Sequence, residues 1–219
     1  MNNYKGKFID FMVQSEVLTF GEFKTKSGRL SPYFVNTGNY RTGAQISKLG
    51  DYYADCYMDK LGTKKVDALY GPAYKGIPLV VTTAAALFQI YERDIPFCFN
   101  RKEVKTHGEG GTMIGHQPKP GDRIVIIEDV ITAGTALRET MEILKAVAGH
   151  VKIEGLIIQV DRMERATGKL SAVQQAEKDF GIPVYSIVTI KDIVAHLHGK
   201  TINDEMKSKI ESYLQEYGI

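Results

Sequence analysis

Apolar positions along the chain follow two rhythms, one of helices and one of strands. Tyr4, Phe8, Phe11 and Met12 recur at helical spacing and predict a short amphipathic helix over 3–15. LTFGEFK (18–24) and PYFVN (32–36) read as strands on either side of the turn-rich TKSGRLS. Residues 44–61 return to helical spacing and stop at Gly62. A regular alternation then begins, with strands over 66–70, 95–99, 123–127, 152–160 and 183–190. Helices over 76–91, 136–148 and 171–180 fall between them, and two short helical stretches close the chain. Only residues 100–120 break the rhythm; they are polar and glycine-bearing and read as a long loop without structure of its own. Near-continuous Val/Ile strands alternating with amphipathic helices predict an α/β fold with a central, mostly parallel sheet flanked by helices. No repeat or linker divides residues 1–219, so one domain is expected. About the first forty residues, with C-terminal elements, should form a small lobe, or hood, over the sheet.

Composition narrows the function classes. The 219 residues are 43% hydrophobic and 25% charged, which suits a folded chain with a substantial core. A net charge of +2 gives no support to a nucleic-acid partner, while a small anionic ligand needs only local cations. Cys56 and Cys98 lack metal-type spacing and read as reduced, buried thiols. The N-terminal segment mixes apolar residues with Lys, Asp and Glu, unlike a signal peptide, and no apolar stretch is long enough to cross a bilayer. A cytoplasmic protein without a membrane partner is the expectation.

Parallel sheets hold ligands at the carboxyl ends of their strands, and there the sequence becomes unusual. In RIVIIEDVITAGTA (123–136) an apolar strand releases Glu128 and Asp129 together, then runs through Thr132-Ala133-Gly134-Thr135 into a helix. Gly134 permits close backbone approach, and the first N–H groups of the helix, with the two threonine hydroxyls, would cradle a phosphate. The carboxylates suit vicinal sugar hydroxyls; side by side they repel unless a ligand or cation intervenes. GPAYKGIP (71–78) puts Lys75 among glycines at a strand end, where a pyrophosphate would find N–H donors and a cation. FNRKEVKTHGEGG (99–111) offers Arg101, Lys102, Lys105 and His107, either as a solvated basic hairpin or as a lid over an anionic leaving group. FKTKSGRLSPYFVNTG (23–38) carries Lys26 and a Tyr33-Phe34 pair suited to stacking on a flat heterocycle. Arg162, just past the strand 152–160, can pair with a carboxylate. Dinucleotide and Walker-type phosphate motifs are absent.

The segment 123–136 resembles the phosphoribosyl pyrophosphate (PRPP) motif of the type I phosphoribosyltransferases. KSGRLSPYF, GPAYKGIP, FNRKEVKTHGEGG, DVITAGTA and DRMER (161–165) stand in the order found in the orotate phosphoribosyltransferases, to which nearly the whole chain is similar. The resemblance implies a type I phosphoribosyltransferase-like fold and transfer of the phosphoribosyl group of PRPP to N1 of orotate, giving orotidine 5′-monophosphate and pyrophosphate in pyrimidine biosynthesis. It implies PRPP contacts at Lys26, Tyr74, Lys75, Arg101, Lys102, Lys105 and His107. Further PRPP contacts follow along Glu128, Asp129, Val130, Ile131, Thr132, Ala133, Gly134, Thr135 and Ala136. Orotate contacts are implied at Lys26, Phe34, Val35, Thr132 and Arg162, and catalytic roles at Lys105, His107, Glu128 and Asp129. It also implies Mg²⁺ held mainly through PRPP and water rather than by direct protein ligands, and a homodimer in which the loop 101–115 reaches the neighbouring site. Two positions depart from the family's usual pattern: Glu128 replaces an Asp, and Val35 a frequent second Phe.

Two rivals are weaker. A phosphoribosyltransferase for a neutral base would leave Arg162 unpaired. A PRPP-sensing regulator that binds nucleic acid would want a basic face, and it would not need a complete cationic loop.

Overall fold

Eight consecutive residues, Ile153 to Val160, are buried in the ten-residue strand Lys152–Asp161 (β7). A strand sealed on both faces belongs inside a layered sheet, and β7 lies between Arg123–Ile127 (β6) and Val184–Thr189 (β8), parallel to both. On the other side of β6 come Ala68–Gly71 (β3) and Phe97–Lys105 (β4), also parallel, then Gly111–Gly115 (β5), which runs antiparallel to β4. The order is β5-β4-β3-β6-β7-β8. The computed structural model describes residues 3–25, 28–105, 111–131, 134–166 and 168–219; the side chains of 103–105 and 111 lie outside that set.

The period-two geometry of a strand divides the core between the two faces. Val125 and Ile127 of β6 join a cluster with the helices Asn3–Gln14 (α1), Gly43–Leu61 (α2), Gly76–Tyr91 (α3) and Ile190–Leu197 (α6). Ile124 and Ile126 face the other way, onto Thr135–Ala148 (α4) and Ala172–Phe180 (α5). Leu18–Lys24 (β1) and Leu30–Val35 (β2) form a separate antiparallel hairpin, and the closing helix Asp204–Tyr217 (α7) packs against β2. Cys56 and Cys98 are buried and unbonded to each other. No described helix is long and apolar enough to cross a membrane.

Two expectations are corrected. The segment 100–120 is not a loop throughout, because β4 continues to Lys105 and β5 returns along it, pairing Phe99 with Ile114 and Asn100 with Met113. Strand pairing here satisfies the open edge of the sheet. The arm beyond Asn100 alternates no apolar face, so its sequence carries none of the periodicity that marks a half-buried strand. The final helix is likewise longer than the short stretch expected, at fourteen residues, with Asn203 capping its start.

Candidate active site

The carboxyl ends of β3, β4, β6 and β7 carry the residues singled out in the sequence. Past Ile127, the backbone N–H of Glu128 still donates to the Ile157 carbonyl (3.0 Å) and that of Gln159 to the Asp129 carbonyl (3.1 Å), so β6 and β7 hold the acidic pair in the ladder. From below, the fully buried Tyr53 of α2 donates its hydroxyl to the Glu128 carbonyl at 2.7 Å.

The two acids then diverge. Asp129 Oδ2 accepts from Lys75 Nζ at 2.9 Å and from Thr37 Oγ1 at 2.8 Å, and Lys75 also donates to Thr37 at 3.1 Å. Burial works against ionisation of Asp129, but the Lys75 and Thr37 hydrogen bonds outweigh it, so its carboxyl lies below the ordinary range. Glu128 is pushed up to about 8, by burial first and by the neighbouring Asp129 charge. The repulsion expected between adjacent acids is thus relieved by giving the negative charge to Asp129 and a proton to Glu128 near neutral pH.

Helix starts distinguish this rim from the rest of the molecule. Each of α2, α5, α6 and α7 begins under a side-chain cap, from Thr42, Ser171, Thr189 and Asn203. The two helices entering from β3 and β6 have none: α3 starts after Lys75 and α4 after Gly134, without a side-chain cap bond. Gly134 sits at φ 75°, in the left-handed region that suits glycine. The opening N–H groups of Thr135 and Ala136 therefore have no side-chain cap, in a polarity that favours an anion.

The turn Gly71–Gly76 is held from below by Asn100. That buried side chain accepts from the Ala73 N–H and the Tyr70 hydroxyl, each at 2.9 Å. Gly71 and Gly76 serve the turn's own packing: a Cβ on Gly71 would lie 2.2 Å from the Gly76 carbonyl oxygen. Their close approach is to each other. Tyr74 projects with 68% of its surface exposed, and Lys102 Nζ stands 5.2 Å from its ring centre. The Nε of Arg101 is buried without a partner among the described residues.

A second cluster gathers at the end of β7. Arg162 donates through Nε to Glu164 Oε1 (2.8 Å) and through Nη2 to Ser31 Oγ (3.2 Å), with Nη2 in an ion pair 2.7 Å from Glu164 Oε1 and the guanidinium 4.7 Å from the Tyr33 ring centre. Burial opposes its charge, yet Tyr33 and Glu164 more than compensate and raise its pKa. The aromatic pair separates: alternation along β2 sends Tyr33 fully inside, while Phe34 stays 41% exposed and stacked on Phe23. Val35 is half-buried against the main core. Val130 and Ile131 are half-buried after the acidic pair. Lys26, His107, Thr132, Ala133 and the Lys105 side chain lie outside the described residues.

Sequence reasoning missed Thr37, Tyr53, Asn100 and Glu164 as site-supporting residues. Asn100 carried a legible signal, a polar side chain directly after the apolar strand PFCF. Thr37 and Tyr53 carried none, since their roles arise from pairing across long sequence separations. A groove of about 570 Å³ between α6 and α7 includes none of the rim residues.

Comparisons agree with this geometry. The family model for the phosphoribosyl transferase domain matches residues 39–174. The chain is 52% identical to an orotate phosphoribosyltransferase of Lachnoclostridium phytofermentans, over 100% of this chain and 99% of that one. It is 51% identical to one of Clostridium acetobutylicum, over the full length of both. Among solved structures, the orotate phosphoribosyltransferase of Francisella tularensis superposes with a TM-score of 0.87 at 39% identity, covering 97% of this chain and 100% of the other.

Proposed function

Because this chain belongs to the phosphoribosyltransferase family, we propose from its rim that it is an orotate phosphoribosyltransferase joining orotate to the ribose of PRPP. The observation that carries the reading is the cluster at the strand ends, where Lys75 and Thr37 hold Asp129 next to Glu128, together with the start of α4 at Gly134, which no side chain caps. The start of α4 receives the 5-phosphate and the acidic pair the ribose hydroxyls. Lys75, 65% exposed at its side chain, is screened by solvent, so it exchanges Asp129 for a diphosphate oxygen at small cost.

Cleavage of the C1–O bond sends its electron pair to pyrophosphate and leaves positive charge on the ribose. The ionised Asp129 favours that charge, and Glu128 orients a hydroxyl beside it. Lys75, Arg101, Lys102 and Lys105, with His107, stabilise the leaving group, which counts most where charge develops. The N1 of the orotate anion forms the new bond from the opposite face, while Arg162 holds the carboxylate and Phe34 the ring. No protein nucleophile is required.

The donors present suit a magnesium ion that arrives with its ligand. The rim offers two carboxylates, and among the described residues no group of three or more His, Cys, Asp or Glu could enclose a metal. Mg²⁺ tolerates such a setting because it keeps waters and phosphate oxygens as ligands. When bound, it neutralises diphosphate charge.

The exposed Val81 and Phe88, seven residues apart on one face of α3, give an apolar surface that a two-fold dimer would cover. The arm 101–115 then reaches the neighbouring site, in a cytoplasmic enzyme. Spectrophotometric loss of orotate with PRPP, with and without Mg²⁺, tests the proposal; no Mg²⁺-dependent turnover would overturn it.

A further inference from the structure

Glu164 gathers partners from three parts of the chain: Tyr33 of β2, Arg162 past the end of β7 and Tyr213 of α7. Its side chain is only 13% exposed. Oε1 accepts from the Tyr33 hydroxyl at 2.6 Å and from Arg162 Nε at 2.8 Å, with Arg162 Nη2 at 2.7 Å. Oε2 accepts from the Tyr213 hydroxyl at 3.0 Å, and Arg29 Nη1 stands 4.0 Å away. Tyr33 belongs to β2 and Tyr213 to α7, and their rings meet edge to face at 6.3 Å. One carboxylate therefore joins the hairpin, the end of β7 and the closing helix.

The effect on Arg162 is directional. A guanidinium has five N–H donors in a planar fork. Glu164 and Ser31 occupy the Nε and Nη2 side, and the Tyr33 ring lies against the guanidinium. Nη1 has no partner among the described residues, so the fork is fixed with one end open. The backbone fastens the same segment: Glu164 bridges to Gly218, the Arg165 N–H donates to the Tyr217 carbonyl at 2.7 Å and the Ile219 N–H to that of Met163 at 3.0 Å.

We infer that Glu164 is a positioning residue for base recognition: with the Tyr33 and Tyr213 phenols it orients the Arg162 guanidinium, and the C-terminal helix thereby helps set specificity for an anionic base. This rests on the reading that Arg162 takes the carboxylate of orotate. A carboxylate so close to an anion site weakens raw attraction but fixes geometry, and a fixed donor discriminates between bases better than a mobile cation does.

The test compares Glu164→Gln, Tyr213→Phe, Arg162→Ala and the double variant Arg162→Ala/Glu164→Gln. Glu164→Gln should raise KM for orotate about tenfold or more, the scale of a charge-assisted hydrogen bond, and leave KM for PRPP within about twofold. Tyr213→Phe, which removes one distant hydroxyl and keeps the fold if Glu164→Gln does not, should shift the orotate KM in the same direction by a smaller factor. Because Glu164 acts through Arg162, the double variant should be no worse for orotate than Arg162→Ala alone. A rise in orotate KM for Arg162→Ala with none for Glu164→Gln or Tyr213→Phe overturns the inference and leaves the reading of Arg162 intact. Parallel loss for both substrates, or additivity in the double variant, reduces Glu164 to a clasp. An unchanged orotate KM in Arg162→Ala would sink the reading itself.

Discussion

At the scale of single residues, the acidic pair is the feature most sensitive to conditions. Burial, and then the Asp129 charge, push the Glu128 carboxyl up to about 8, well above its ordinary value near 4.5. A carboxyl raised in this way contributes stability that is full below about pH 4.5 and is lost as pH climbs through about 8. Glu128→Gln removes that dependence. Its Tm should therefore draw ahead of the parent's between about pH 5 and 8 by several degrees, at roughly 2–4 °C per kcal/mol for a chain of this size. A Tm difference that stays constant across that range would show that Glu128 is not the titrating group. Turnover should respond differently. Asp129→Asn takes the charge from the carboxylate that Lys75 and Thr37 hold and should cut kcat by about tenfold or more. Glu128→Asp, which keeps the acid, should be nearly silent in steady-state kinetics. A large loss from Glu128→Asp would instead show that the longer side chain is built into the site.

At the scale of elements, the turn from β3 into α3 depends on a residue from a neighbouring strand. Asn100→Ala would leave the buried Tyr70 hydroxyl and the Ala73 N–H without their shared acceptor, a loss of about 1–3 kcal/mol. The turn that carries Lys75 would also loosen. Denaturant unfolding should report the stability loss, and KM for PRPP should rise more than KM for orotate. Equal effects on both substrates would mean that Asn100 supports the fold alone. This bond also marks where sequence reading stops. Strands such as RIVII and KIEGLIIQV and the acid pair that follows were legible because burial on both faces writes itself into composition. Residues 100–105 and 111–115 were not, because NRKEVK and GTMIG carry no clear apolar alternation to read, and their strand character comes from pairing. Lys75 and Asp129 could each be nominated from local motif, but their ion pair and the Thr37 bond join three segments far apart in sequence. Tyr33 looked like a stacking residue and is instead the floor beneath Arg162, because only tertiary context decides which face of a short hairpin turns inward.

At the scale of the whole molecule, the basic arm and Arg162, the residue proposed to hold the base, lie on different parts of the chain, which makes a dimer testable by complementation. Arm residues 101–105 belong to β4 and 111–115 to the edge strand β5, and the exposed Val81 and Phe88 on α3 offer an apolar face for a second copy. A two-fold interface is isologous, so in such a dimer two donated arms would complete two equivalent sites. Lys105→Ala and Arg162→Ala homodimers should each be nearly inactive, because every site carries one defect whichever subunit supplies the arm. Lys105→Ala alone should lower kcat by about 10²–10³-fold, the scale of losing one preorganised stabiliser of developing charge. Mixing the two proteins under subunit exchange separates the alternatives. If the arm acts across the interface, a mixed dimer holds one site with both defects and one with neither. About half of the dimers are mixed after random reassortment, so roughly a quarter of all sites should recover activity. If the arm serves its own subunit, every site in the mixed dimer keeps one defect and nothing recovers. Exchange is checked independently by mass or by fluorescence transfer between labelled subunits. A mixture that demonstrably exchanges and stays inactive would assign the arm to its own subunit, while the rim chemistry of Lys75, Glu128 and Asp129 would stand unchanged.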